Sequence, residues 1–394
     1  MLGRLRIRLR LLLLCSGVVG VSTWFVIQSS PIHTGIKFKP IVVDVLQKGK
    51  SLATGLEPDQ NSPPSSTLDN SPDRTVKIER LSNASLERRQ QYYDIIIQHN
   101  STWLLHEWRV AVGSTDDQVT NGLLSRALSY RLQADVNEKA AYLEASAYIL
   151  DSSIDVASRS ELIRTLGRAA TAGSLQVLID VAIAGQGAKD VLPEIYSQIT
   201  KIGENRWENR FHPELAPIYQ QAVVAAAPGS GLAGAAISGL AAVGSRGAVD
   251  YLLGDVLQFA KTIDDINKLP TGSNLPFEIK ALGKISNPES ISLLADGLRD
   301  QGIGDLQLNL SGAGLAAIGD ARATAALLKW AQNARGDMAP LAKEWFSKTR
   351  DTASFELIDK SLQQQIPFVS VKIRSEVQAV LNARNEIIKK MNGG

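Results

Sequence analysis

One packing template recurs along the second half of this chain, and it limits what the chain can fold into. An apolar anchor has companions three residues before and after it, and further apolar residues follow 9, 12 and 16 positions on. Anchored on Leu282, the first set is Ile279, Leu282 and Ile285, and the second is Ile291, Leu294 and Leu298. On Leu240 the sets are Ile237, Leu240, Val243 and Val249, Leu252, Val256; on Leu166 they are Ile163, Leu166, Ala169 and Leu175, Leu178, Ala182. On Leu315 they are Gly312, Leu315, Ile318 and Thr324, Leu327, Ala331, with two weak members. A copy on Ile199 starts with Tyr196, Ile199 and Ile202. Its second helix fits after a seven-residue insertion, as Leu215, Ile218 and Ala222. A degenerate sixth copy starts at Phe346 and continues with Phe355, Ile358 and Leu362. Steps of three and four put apolar residues on one helix face. Each copy is therefore a helical hairpin, and one hairpin cannot bury its stripe alone. Stacking the copies buries a continuous core.

The anchors at 166, 199, 240, 282 and 315 are spaced by 33, 41, 42 and 33 residues, a period of 33 with two insertions. Punctuation agrees. Asn287-Pro288-Glu289 offers an N-cap, a proline at the first helical position and an acid in the first turn. His212-Pro213-Glu214 places proline similarly. Gly203, Gly244 and Gly319 follow first helices where a left-handed C-cap is expected.

The segments LGRAATAGSLQVLIDVA, LAAVGSRGAVDYLLGDV, LGKISNPESISLLADGL and LAAIGDARATAALLKWA resemble HEAT-like repeats of the shorter bacterial type, also found in phycobilin lyases. The aromatic pattern of TPR units and the Thr-Pro-Leu-His of ankyrin units are absent. The resemblance implies an all-α fold, an α-solenoid of stacked antiparallel hairpins, and says little of function. Residues 160–362 are assigned to these repeats. Residues 85–159 form an N-terminal helical cap region, with helical spacing in 86–112, 116–133 and 136–150 and a capping box at Asp135 and Glu138. Residues 363–394 form a C-terminal capping helix, amphipathic over 370–391.

Ahead of these, residues 1–10 are a basic cytoplasmic terminus and 11–28 a transmembrane anchor or signal segment, with no charge from Leu11 to Ile27. At 1.5 Å per residue the apolar run reaches about 25 Å. Arginines before it favour a cytoplasmic N-terminus and a periplasmic or extracytoplasmic bulk, anchored single-pass in the inner membrane. Two other readings stay open: a cleaved signal near Gly20 and Ser22, and a lipid anchor on Cys15. Residues 29–84 are a largely disordered linker, with Pro58, Pro63, Pro64 and Pro72 among small polar residues. Residues 36–47 fit a short strand or a short helix equally. Without Arg4, Arg6, Arg8 and Arg10, 38 of the 42 basic side chains remain against 40 acidic ones. With no basic stripe, no nucleic-acid partner is expected. The single cysteine forms no disulfide within the chain and no Cys-based metal site.

Nothing in the sequence points to catalysis, so the expected job is a scaffold for a protein partner, with no catalytic residues, cofactor or metal. The alternative is a lyase-like enzyme or enzyme subunit on the same solenoid. No Gly-x-Ser-x-Gly elbow, Walker A loop, His-Glu-x-x-His motif or dinucleotide fingerprint is read in the soluble domain. Gly229-Ser230-Gly231 is read as a linker. His99 and His106 sit seven apart on one expected helix, two turns apart and too far for one metal. Asp264-Asp265 is read as a solvated pair. HEAT-repeat hydroxylases hold iron through several His-Glu dipeptides, and this chain has one, His106-Glu107. The insertion ENRWENRFHP presents Arg206, Trp207, Arg210 and Phe211 as the partner-binding candidates, because Arg and Trp dominate binding hot spots. The competing reading has Trp207 and Phe211 folding back as local packing. A second insertion spans about residues 258–277.

Overall fold

The computed structural model describes residues 80–114, 117–135, 139–260, 272–298, 305–364 and 367–392. The expected anchor, the bulk of the linker and Asp264-Asp265 lie outside these residues, as does Glu138 of the expected capping box. Among the described residues there are 17 α-helices and no strand. No described helix is long and apolar enough to cross a membrane.

The chain divides into two compact units at Leu128/Ser129, inside the third helix. The first unit contains α1 (Leu86–Ile96), α2 (Ser101–Ser114) and the start of α3 (Gln118–Ala134). The expected continuous segment 86–112 is broken at residues 97–100, where the Asn100 side chain accepts the Trp103 amide at 2.8 Å. His99 therefore lies in the turn, stacked on Trp103 at 3.8 Å, and only His106 is helical. Trp108 is fully buried and donates to Ser125 Oγ at 2.8 Å. Asp117 caps α3 and also accepts the amides of Leu81 and Ser82. Burial opposes its charge, but the amides of Thr120, Leu81 and Ser82 hold its pKa below the ordinary range.

The second unit continues with α4 (Lys139–Leu150), α5 (Val156–Ala169), α6 (Ala172–Ala184), α7 (Leu192–Glu204), α8 (Ala216–Ala225), α9 (Gly231–Val243) and α10 (Arg246–Ala260). Then come α11 (Leu275–Leu282), α12 (Ile291–Gly297), α13 (Leu306–Ile318), α14 (Ala321–Asn333), α15 (Ala339–Phe346), α16 (Thr352–Gln363) and α17 (Val371–Asn392). The odd-numbered helices from α5 to α17 each pack on the next one in a row. The second helices form another row, in which α4, α6, α8 and α10 follow one another and α12, α14 and α16 do the same. This is a helical repeat-like bundle, consistent with a solenoid.

The template explains the core. Leu166, Ile199, Leu240, Leu282, Leu315 and Phe346 are all 0% exposed. Six companions differ from expectation: Ala182, Tyr196, Ile218, Ile279, Ile291 and Ile318 are only half-buried. For Ile279 and Tyr196 the residues one position earlier, Glu278 and Ile195, are buried instead. On short α11 the inward stripe is Leu275, Glu278, Ala281 and Leu282, which rotates Ile279 off the core. In α8 the core residue is Tyr219 rather than Ile218, and its hydroxyl donates to the Ile199 carbonyl at 2.6 Å.

The caps behave similarly. Asn287 accepts the Glu289 amide ahead of a short 3-10 turn, and Gly244 and Gly319 are left-handed at φ 56° and 63°. Gly203 does not end its helix in that way. It stays helical within α7 and lies against Gly239 of α9, where a Cβ would come 2.4 Å from the Gly239 carbonyl oxygen. The second insertion is shorter than expected, because α10 runs to Ala260 and α11 begins at Leu275.

Candidate functional site

The insertion that follows α7 folds into a clasp. Trp207 stacks on His212 with ring centroids 4.4 Å apart and planes 17° apart. Arg210 lies 5.2 Å over the other residue's ring system at Trp207 and pairs with Glu208 at 3.2 Å and Glu214 at 3.4 Å. His212 is buried, with Nδ1 2.9 Å from Glu214 Oε1 and Nε2 3.2 Å from the Trp207 carbonyl oxygen. Burial opposes the charge of Glu214, but His212, its own amide and Arg210 hold its pKa below the ordinary range. The tip at Glu208 and Asn209 is left-handed, at φ 60° and 56°, a conformation non-glycine residues keep only when neighbours enforce it.

Arg206 faces the other way. Its guanidinium donates to the carbonyls of Gly203 and Asn205 and, across to α9, of Ala242, each at 2.9 Å. A weaker bond reaches Ser286 Oγ at 3.4 Å, beyond α11. Phe211 packs beneath it, 4.0 Å from ring centroid to guanidinium carbon. One side chain thus satisfies carbonyls at the adjacent C-terminal ends of α7 and α9, where orphan acceptors and the negative dipole end both favour a cation. Burial pulls its pKa down and Glu204 pulls it up.

Arg206 also lines an open groove of about 830 Å³ across α7, α9 and α11. The floor is the small-residue face of α9: Gly231, Gly234, Ala235, Ser238, Ala241 and Ala242. Two aromatic rings rest on its glycines. A Cβ on Gly231 would come 2.5 Å from the Tyr196 ring, and one on Gly234 would come 3.1 Å from the Phe277 ring. The charged lining is Glu204 and Arg206 from α7 and the loop after it, and Lys280 and Lys284 from α11 and the turn after it.

The four residues singled out in sequence therefore separate. Trp207, Arg210 and Phe211 go into the clasp, and only Arg206 reaches the groove. Sequence reasoning missed Tyr196, Phe277, Lys280 and Lys284. A usable signal was present: once the copies are aligned on their anchors, Ser197, Ser238 and Lys280 share the position two before the anchor, and all three line the groove. Sequence reasoning also passed over the G-x-G-x-x-G spacing of Gly229, Gly231 and Gly234. Its context is α8 followed by α9, with no preceding strand, so the dinucleotide geometry is not built. These glycines serve packing instead. Among the described residues no group of three or more His, Cys, Asp or Glu side chains could hold a metal ion.

Trp207 Nε1 is buried without a hydrogen-bond partner, which costs about 1–3 kcal/mol relative to a satisfied donor. Trp207→Phe keeps an aromatic face for His212 and removes the orphan. Its unfolding free energy, read from urea titration, is expected within about 1 kcal/mol of the parent. A loss above about 2 kcal/mol would show that the indole nitrogen contributes to holding the clasp.

Comparison of the chain with family models, with curated proteins and with solved structures returned no match.

Proposed function

We propose that this protein is a HEAT-like helical-repeat scaffold that holds a protein partner in the groove across α7, α9 and α11. The observation that carries the reading is the groove's construction. The small-residue face of α9 makes the floor, while aromatic and cationic side chains of the neighbouring elements border it, a composition suited to receiving another chain. Arg206 is held by the carbonyls of α7 and α9 and by the Phe211 ring, not by Trp207 or Arg210. The tether belongs to the same proposal and rests on sequence alone: the uncharged run Leu11–Ile27 and the proline-rich linker would hold the bundle at the outer face of the cytoplasmic membrane. Binding rather than catalysis is proposed, without cofactor or nucleic acid.

Ser238 offers the cleanest test. It is half-buried on the floor, and its hydroxyl bonds only back to the Gly234 carbonyl, at 2.8 Å. Ser238→Trp is expected to fill the groove while shifting stability by less than about 1 kcal/mol. Proteins captured by the intact, membrane-extracted parent should be lost from the variant. The companion variant with Trp207 and Arg210 replaced by alanine should keep them. The reverse pattern, capture surviving Ser238→Trp and failing in the clasp variant, would move the binding surface to the clasp.

A further inference from the structure

The chemistry of the groove goes further than its existence. Its full charges are Arg206, Lys280 and Lys284 against Glu204 alone. Arg206 is committed to the carbonyls of α7 and α9, so it already answers the negative helix ends there. The two lysines are surplus to that role. They stand four residues apart, both exposed, and neither has a carboxylate within ion-pair distance among the described residues. Lys280 is on α11 and Lys284 in the turn that follows it, so two exposed cations border the groove with no acidic side chain between them among the described residues. One turn before Lys280 on α11 the lining is aromatic, with the Phe277 ring over Gly234 and the Tyr196 ring over Gly231.

We infer that the groove takes an extended acidic peptide segment, with an aliphatic side chain between Tyr196 and Phe277 and a carboxylate on Lys280 and Lys284. The inference rests on the proposed partner groove and adds its partner chemistry and register. Lys280 and Lys284 follow Phe277 by three and seven residues along α11 and the turn after it, so the farther lysine stands about 10 Å on. An extended chain covers that distance in about three to four residues. The segment therefore carries its acid three or four positions from its aliphatic residue.

The test is selection of phage-displayed random heptapeptides on the full-length chain, discarding those that also bind Ser238→Trp. A selected peptide, fluorescein-labelled, is then titrated by anisotropy. The expected consensus pairs Leu, Ile or Val with Asp or Glu three or four positions away. Lys280→Glu/Lys284→Glu, shown folded by its unchanged circular dichroism and melting, should weaken the peptide at least tenfold and lose the acid from a repeated selection. Raising salt from 50 to 500 mM should weaken parental binding several-fold. A groove-dependent consensus without an acid, or one unmoved by charge reversal, overturns the acidic partner and leaves the groove reading standing. No groove-dependent peptide at all overturns both.

Discussion

Replacing Glu278 with glutamine is expected to remove most of the alkaline destabilisation of the repeat bundle. Glu278 is 0% exposed on α11, facing Asp255 and Tyr251 of α10, and neither of its carboxyl oxygens meets a protein donor. Two carboxyl groups can bond to each other only when one carries a proton. Burial first, then the bond from the protonated form to Asp255 and repulsion between the charges, push Glu278 from the usual 4.5 up to about 8. Its folded pKa lies above its unfolded one. Its contribution is thus fully present below about pH 4.5 and is lost progressively as pH rises toward 8. At pH 7 the loss is on the order of 3 kcal/mol, at about 1.4 kcal/mol per pH unit. Glutamine keeps the shape, stays neutral and can donate to Asp255.

The readout is the difference in unfolding free energy between Glu278→Gln and parent across pH 5 to 8.5. It should be near zero at pH 5 and should grow in the variant's favour to a few kcal/mol at pH 8.5. Parallel curves would mean that Glu278 does not titrate in this range. The same change leaves the groove side of α11 intact, because Phe277, Lys280 and Lys284 belong to its opposite face.

The anchors were legible in sequence because periodic apolar residues encode burial directly. A large apolar residue at the same phase of every repeat has no other reason to recur, and each one is fully enclosed. What the template could not encode was the phase of a short helix. Over the eight residues of α11, a rotation of one position exchanges Ile279 for Glu278, and an apolar pattern gives no warning that an acid will face inward. The groove was legible only in fragments. Arg206 was singled out for its residue type, yet its role depends on Ala242 and Ser286, which lie 36 and 80 residues on. Sequence distance hides such a site until the rows of helices are assembled. Trp207 shows the converse. Its residue type left binding and local packing both open, and it is stacked on His212, a histidine that sequence reasoning had given only a place in a turn.

Gly203→Val is expected to cost about 3 kcal/mol, at the upper end for overpacking, and to abolish groove-dependent binding. The reason lies in what the missing Cβ would meet. At Gly203 it would fall 2.4 Å from the carbonyl oxygen and 2.8 Å from the Cα of Gly239, which are backbone atoms and cannot rotate away. Gly239 is itself pinned, since its own Cβ would fall 2.3 Å from the Tyr219 ring, whose hydroxyl ties back to Ile199. Three helices from two repeats therefore meet at one point with no free volume. Valine forces α7 from α9, and Arg206, three residues on, can no longer reach both the Gly203 and Ala242 carbonyls. Gly254 supplies the control. It is exposed on the outer face of α10 with open space around its would-be Cβ, so Gly254→Ala should stabilise by roughly 0.5–1 kcal/mol through helix propensity alone. Opposite signs in urea unfolding of the two variants would show that close approach, not glycine content, sets the stacking distance. A Gly203→Val protein that unfolds like the parent would mean that α7 and α9 do not touch there. The width of the groove, and the position of Arg206 in its lining, would then need another cause.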